Sequence, residues 1–146
     1  MDYLITFSVY LTALAICGAA VRFGDRPLRL TAIVYMAGWI LTTLLAHRVR
    51  LGLLDVPVTV IDLGTSLTLV WISLRWRRLW CAALAGEALV TTLIPIVSLF
   101  YANSVSRYAR MAASNMVAIV QLVTLVVAIV VTLRARRQGE EDAVRA

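Results

Sequence analysis

The chain has no lysine, a single histidine and two cysteines among its 146 residues, and only 15% of its residues are charged. Each scarcity excludes something. Cys17 and Cys81 lie far apart and form no CxxC pair, so a disulfide framework is excluded and both read as small apolar groups. With His47 alone, a zinc site would need a second chain, and neither a metal nor a cofactor is expected. The sequence holds no HExxH, no GxSxG, no phosphate-cradling glycine loop and no paired His/Asp cluster, so catalysis is not expected. A soluble domain carries roughly a quarter charged residues. So little charge here excludes both a disordered chain and a water-soluble α/β enzyme.

What is abundant is grease. Hydrophobic residues make up 62% of the chain and the mean hydropathy is +0.89. They fall into five blocks, at about Tyr3–Val21, Leu30–His47, Asp55–Leu74, Leu79–Tyr101 and Met111–Leu133. The shortest block would reach about 27 Å as a helix, close to the thickness of a bilayer's hydrocarbon. Helices are required there, because lipid offers no partner for a strand's free backbone groups. The predicted fold is therefore an all-α integral membrane bundle of about five transmembrane helices forming one domain over residues 1–133. Residues 134–146 form a charged cytoplasmic tail too short to fold alone. The first block reads as a retained span: Met1-Asp2 is acidic where a signal peptide is basic, and the apolar run is too long. Ile16 is also too bulky before Cys17 for a lipoprotein cleavage site.

The net charge of +6 comes wholly from arginine, and with abundant alanine this fits a GC-rich bacterial gene. A pI near 10.2 would suit nucleic acid if the arginines shared one face. They cluster instead at the ends of apolar blocks, so the expected partner is the lipid bilayer and not nucleic acid. Arg22, Arg26, Arg29, Arg75, Arg77, Arg78, Arg134, Arg136, Arg137 and Arg145 fall on one side; Arg48, Arg50, Arg107 and Arg110 fall on the other. The positive-inside rule then places the N-terminus outside and the C-terminus in the cytoplasm of a bacterial inner membrane. Around the third gap, Arg75, Arg77, Arg78, Trp76 and Trp80 read as lipid-headgroup anchors, with Trp71 beside them. Phe100, Tyr101, Tyr108 and Tyr3 would mark the outer interface. Trp39 falls mid-span and should pack between helices.

Asp25-Arg26-Pro27 reads as a turn with proline opening the next helix, and Asp55 before Pro57 as a helix start. Pro95 should bend the fourth span, with Thr91 or Thr92 helping to satisfy the freed carbonyl. Two acids lie within spans, where an ionisable group is costly and should face protein or water. Asp62 belongs to a polar face of Asp55, Thr59, Ser66 and Ser73; Glu87 shares a face with Thr91 and Ser98. Counted from the cytoplasmic ends, the two acids differ in height by only about 6 Å, so antiparallel neighbours can bring them together. Asp62, Glu87, Ser66, Thr91 and Gln121 are the candidate site, as a proton or ion site or as a latch between helices. Ser114, Gln121 and Thr124 share a face of the fifth span. Ala15/Ala19 and Ala82/Gly86 permit close helix approach. The face Tyr3, Thr6, Tyr10, Ala13, Cys17 lines either a cavity or the bundle core.

Asp62 leading an apolar helix, the turn Leu74-Arg75-Trp76-Arg77-Arg78-Leu79-Trp80 and the alanine-rich start of the fourth span resemble a set of small multi-pass inner-membrane proteins of alphaproteobacteria that have no assigned activity. The likeness covers about half the chain. It implies the same fold and address, and an amide near the position of Glu87, which favours the latch. The expectation is a non-catalytic structural or interaction subunit with a membrane-protein partner or further copies of itself. The alternative is a small proton-coupled transporter or channel using Asp62 and Glu87.

Overall fold

A computed structural model describes residues 2–45, 50–51, 54–100 and 107–145. Five helices carry the chain: α1 (Asp2–Phe23), α2 (Arg26–Leu45), α3 (Val56–Trp76), α4 (Leu79–Phe100) and α5 (Arg107–Arg145). Each packs on its neighbours in sequence, and α5 returns to α1, so the five close into a ring. Among the described residues four segments are long and apolar enough to cross a membrane: Arg26–Leu45, Val56–Trp76, Leu79–Val97 and Ala112–Gln138. In α1 the described apolar stretch, Tyr10–Phe23, is shorter.

Three features depart from the bounds of the apolar blocks. A two-residue antiparallel hairpin, β1 (Arg50–Leu51) with β2 (Leu54–Asp55), joins α2 to α3, pairing Arg50 with Asp55 and Leu51 with Leu54. Asp55 therefore closes a strand, and α3 begins one residue later. The apolar periodicity carries no signal for so short a pair. The second departure is at α2, which starts four residues before its apolar block. The Asp25 carboxylate accepts the Leu28 N–H at 3.3 Å and the Asp25 carbonyl accepts the Arg29 N–H at 2.9 Å. Asp25 is thus the N-cap, and Pro27 sits in the first turn, where its missing N–H costs nothing. Third, residues 134–145 continue α5 as helix. Nothing between Leu133 and Arg145 breaks a helix strongly, and Arg136/Glu140 and Arg137/Glu141 stand four apart, the spacing of helical ion pairs.

The interior is built from small residues and a few large ones. Ala20, Leu28, Ala32, Leu69, Ile72, Leu84, Leu125 and Ala128 are all nearly inaccessible. Alanine at these places lets helices without large interdigitating side chains approach closely. Gly38 does the same between α2 and α3, since a Cβ there would lie 2.8 Å from Thr65 Oγ1. Gly24 closes α1, its N–H bonding to the Ala20 carbonyl; a Cβ would run into that carbonyl oxygen and into Leu28. The outer flanks carry the long aliphatic side chains, among them Leu44, Val60, Leu67, Leu93 and Val123. That distribution suits a bundle whose surroundings are as apolar as its core.

One end of the ring is tied together. Arg78 Nη2 lies 2.9 Å from Asp25 Oδ2, joining the α3–α4 turn to the α1–α2 turn. The Gly24 carbonyl accepts from Arg29 Nε at 2.9 Å and from Arg136 Nη2 at 3.4 Å, so α5 joins the same end. Three of the arginine-bearing segments therefore meet at one end. Arg77, in the α3–α4 turn, has φ 50°, and its N–H bonds to the Ser73 carbonyl at 2.8 Å, the geometry of a left-handed helix cap.

Candidate functional site

Polar side chains in α3, α4 and α5 are joined in two places. Ser66 Oγ and Thr92 Oγ1 are 2.9 Å apart and both residues are buried. Each hydroxyl also lies within reach of its own helix one turn back: Ser66 of the Asp62 carbonyl at 2.8 Å and Thr92 of the Ala88 carbonyl at 3.1 Å. Two hydroxyl protons serve these three contacts. One hydroxyl donates across the interface while the other donates to its backbone, and the pair can exchange roles.

A turn away, the α4–α5 interface carries the second contact. Thr124 Oγ1 donates to Glu87 Oε1 at 2.7 Å, and Gln121 Nε2 lies 3.4 Å from Thr91 Oγ1. Glu87 and Thr91 are four apart on α4; Gln121 and Thr124 are three apart on α5. Antiparallel packing sets the first of one pair against the second of the other. Thr91 completes the run by donating to the Glu87 carbonyl at 3.1 Å. The other carboxyl oxygen, Glu87 Oε2, is enclosed and has no hydrogen-bond partner. Leaving such an oxygen unpaired is costly, and more so when the group is charged.

The five candidate residues are thus partly brought together. Glu87, Thr91 and Gln121 share one network, and Ser66 joins the neighbouring one through Thr92. Asp62 contributes its backbone carbonyl to that network. Among the described residues no hydrogen bond links the two carboxyl groups; the partner of Glu87 is on α5, not α3. Matching heights on antiparallel neighbours are necessary for contact, but helix rotation decides it, and Glu87 is turned toward α5. Thr91 and Thr92 both donate one turn back, to 87 and 88, rather than toward the carbonyl freed by Pro95. The partners that the pattern left unmatched are Thr92 and Thr124. The spacing Gln121–Thr124 against Glu87–Thr91 was legible in the chain; its pairing was not.

Tyr35 is the interior residue that sequence reasoning passed over. Buried on α2, it lies within electrostatic reach of Glu87, Cys17 and Asp62. It also lines a cavity of about 250 Å³ between α1 and α2, with Tyr10, Ala13, Cys17, Trp39 and Leu122. Tyr10, Ala13 and Cys17 are three of the five residues of the first-span face expected to line either a cavity or the core; the side chains of Tyr3 and Thr6 lie outside the described ones. Trp39 packs edge-on to Tyr10, with centroids 5.6 Å apart, and against the core, as its mid-span position predicts.

The five headgroup candidates separate. Arg75 and Arg77 are exposed, and Arg75 lies 5.8 Å over the half-buried Trp76 ring, which meets the exposed Trp71 edge-on. Arg78 is engaged with Asp25. Trp80 is not at the surface: it is 8% exposed and its Nε1 is enclosed without a partner. It heads the inward stripe Trp80, Cys81, Leu84, Ala85, Ala88, so the helical period places it inside although it adjoins the turn. The aromatic side chains expected at the opposite interface, Phe100, Tyr101 and Tyr108, lie outside the described ones, as do the side chains of Asp55 and Ser98. No group of three or more His, Cys, Asp or Glu that could hold a metal occurs among the described residues. Compared with known proteins, the chain matches no family model, no curated protein and no solved structure.

Proposed function

We propose that the chain is a multi-pass protein of a bacterial inner membrane. It crosses five times, with its N-terminus outside and its C-terminus in the cytoplasm, and serves as a non-catalytic structural or interaction subunit. One observation carries the structural role: four interior polar side chains of α4 and α5 pair across the interface, Glu87 with Thr124 and Gln121 with Thr91. Such bonds stabilise a bundle in lipid by about 0.6 kcal/mol each on average, and they fix helix rotation as well. The meeting of the Asp25 turn, the Arg78 turn and Arg136 at one end supports the orientation, because it gathers the arginines where the positive-inside rule wants them. The resemblance of the Leu74–Trp80 turn to alphaproteobacterial inner-membrane proteins agrees with that address. The exposed apolar flanks meet the bilayer, and either a membrane partner or further copies of the chain.

A second reading, a small proton-coupled transporter or channel, is favoured by the enclosed and unpartnered Glu87 Oε2 in a bundle interior that also holds Tyr35. Glu87→Gln separates the two, since the amide keeps an acceptor for Thr124 but carries no titratable proton. Normal accumulation of Glu87→Gln with reduced accumulation of Glu87→Leu supports the structural role. Loss of a proton-linked phenotype in Glu87→Gln, at normal accumulation, overturns it. Compartment reporters fused to each end test the threading: both ends reporting from the same side would overturn five crossings.

A further inference from the structure

We propose that the cavity between α1 and α2 is a binding site for one acyl chain of a bilayer phospholipid. The inference rests on the membrane-spanning reading, but not on any role for Glu87. Near Gly24 the two helices are packed shut by Ala20, Leu28 and Ala32, each 0% exposed. Beyond Cys17 and Tyr35 the contact opens into the cavity of about 250 Å³, with Leu122 of α5 on its wall. Leu14, Ile40 and Leu44 line it too, and these are 50%, 53% and 63% exposed. The mouth is therefore continuous with the apolar flank, and at that depth the medium outside is hydrocarbon.

The walls select the occupant. A buried water needs two to four polar partners, and an apolar cavity of about 150 Å³ stays dry and takes up benzene. Here the lining residues with a polar group are Tyr10, Tyr35, Thr43 and Cys17, the lining surface is almost wholly apolar, and the Thr43 hydroxyl already donates to the Trp39 carbonyl at 2.8 Å. Among the described residues no charged side chain lines the space, so an ionic ligand finds no counterpart there. A helix from another protein is about 10 Å across and does not fit. A peptide strand would leave its backbone groups unpaired. A single flexible hydrocarbon chain meets none of these objections. One wall is also preformed: Trp39 packs edge-on to Tyr10 and lies 6.4 Å from Tyr35, so little ordering is needed on entry. From Leu44 to Tyr35 the slot runs about 14 Å along α2, long and narrow as a chain requires.

The test uses the full chain in vesicles of phosphatidylethanolamine and phosphatidylglycerol, doped with a phosphatidylcholine whose acyl chain carries a photoactivatable diazirine. Adducts are mapped by peptide mass spectrometry. Labelling should concentrate on 10–17 and 35–44 relative to the equally apolar flanks around Leu67 and Leu93. In the filled variant Ala13→Leu/Cys17→Leu it should fall at those segments to the level of the flanks, because the added side-chain atoms occupy the space, while flank labelling stays constant. Should the filled variant fail to accumulate, Ile40→Trp narrows the mouth from an exposed position and should give the same selective loss. Even labelling along all helices, or full labelling in a variant that accumulates, overturns the proposal alone. A chain that does not float with the vesicles overturns the spanning reading as well.

Discussion

The contact between Glu87 and Thr124 makes a quantitative prediction that the alternative contact, Glu87 with Asp62, does not share. The donor–acceptor distance is 2.7 Å, the ordinary optimum for a hydroxyl donating to an oxygen. Interhelical bonds in lipid average about 0.6 kcal/mol in double-mutant cycles and reach about 1.7. A well-formed contact to a carboxyl group in a part-buried site belongs in the upper half of that range, so a coupling of about 1–1.7 kcal/mol is expected. The cycle consists of Glu87→Ala, Thr124→Ala and the double variant, unfolded from mixed micelles by rising sodium dodecyl sulfate and followed by the fluorescence of the four tryptophans. Each single substitution should destabilise, and the double should cost less than their sum by the coupling. The parallel cycle with Asp62→Ala is the control. No hydrogen bond joins those two side chains among the described residues, so its coupling should stay within about 0.5 kcal/mol, the ordinary scatter for residues without shared partners. A larger coupling to Asp62 than to Thr124 would show that α4 is rotated differently, and would refute both the geometry and the latch built on it.

Four further outcomes follow from single contacts. Ser66→Ala should cost about 0.6 kcal/mol, rising at most to about 1.7, because it removes the bond to Thr92 and leaves no larger cavity than a hydroxyl; an unchanged unfolding midpoint would place the two hydroxyls apart. Arg77→Gly should stabilise by about 1 kcal/mol by relieving the left-handed conformation, read as a raised melting temperature in detergent; destabilisation would mean that residue is not left-handed. Asp25→Ala should cost about 1 kcal/mol for the lost cap of α2. The partly exposed pair with Arg78 should add less than about 1 kcal/mol, a part that shrinks as salt is raised. Gly38→Val should destabilise by about 1–3 kcal/mol through overpacking against Thr65, with Gly64→Ala, where nothing lies within 4 Å of the new methyl, as the clash-free comparison that should gain about 0.5–1 kcal/mol from helix propensity.

The order of elements and the chemistry of their surfaces were legible in the chain, because hydropathy and length are local quantities. A helix forms over an apolar block wherever it ends up, so α2 to α5 overlie most of the described residues of those blocks, and the turns after α1 and α3 meet Arg136 of α5 at one end. Asp25 and Pro27 announced a helix start for the same reason: a cap is a matter of three consecutive residues. Trp80 was misread because proximity to a turn was weighed above its place on the inward stripe with Leu84 and Ala88. Which side chains meet was a tertiary decision. Height along a helix follows from counting residues, but the direction in which a side chain points depends on how each helix rotates to pack its alanines and glycines, and that rotation is a property of five surfaces at once. It turned Glu87 toward Thr124 on α5, set Ser66 against Thr92, and left the space lined by Tyr35 where α1 and α2 part. A shift of one residue in register barely alters a hydropathy profile, whereas it moves a side chain by 100° around the helix axis, so the bundle rather than the sequence pattern chose the contacts.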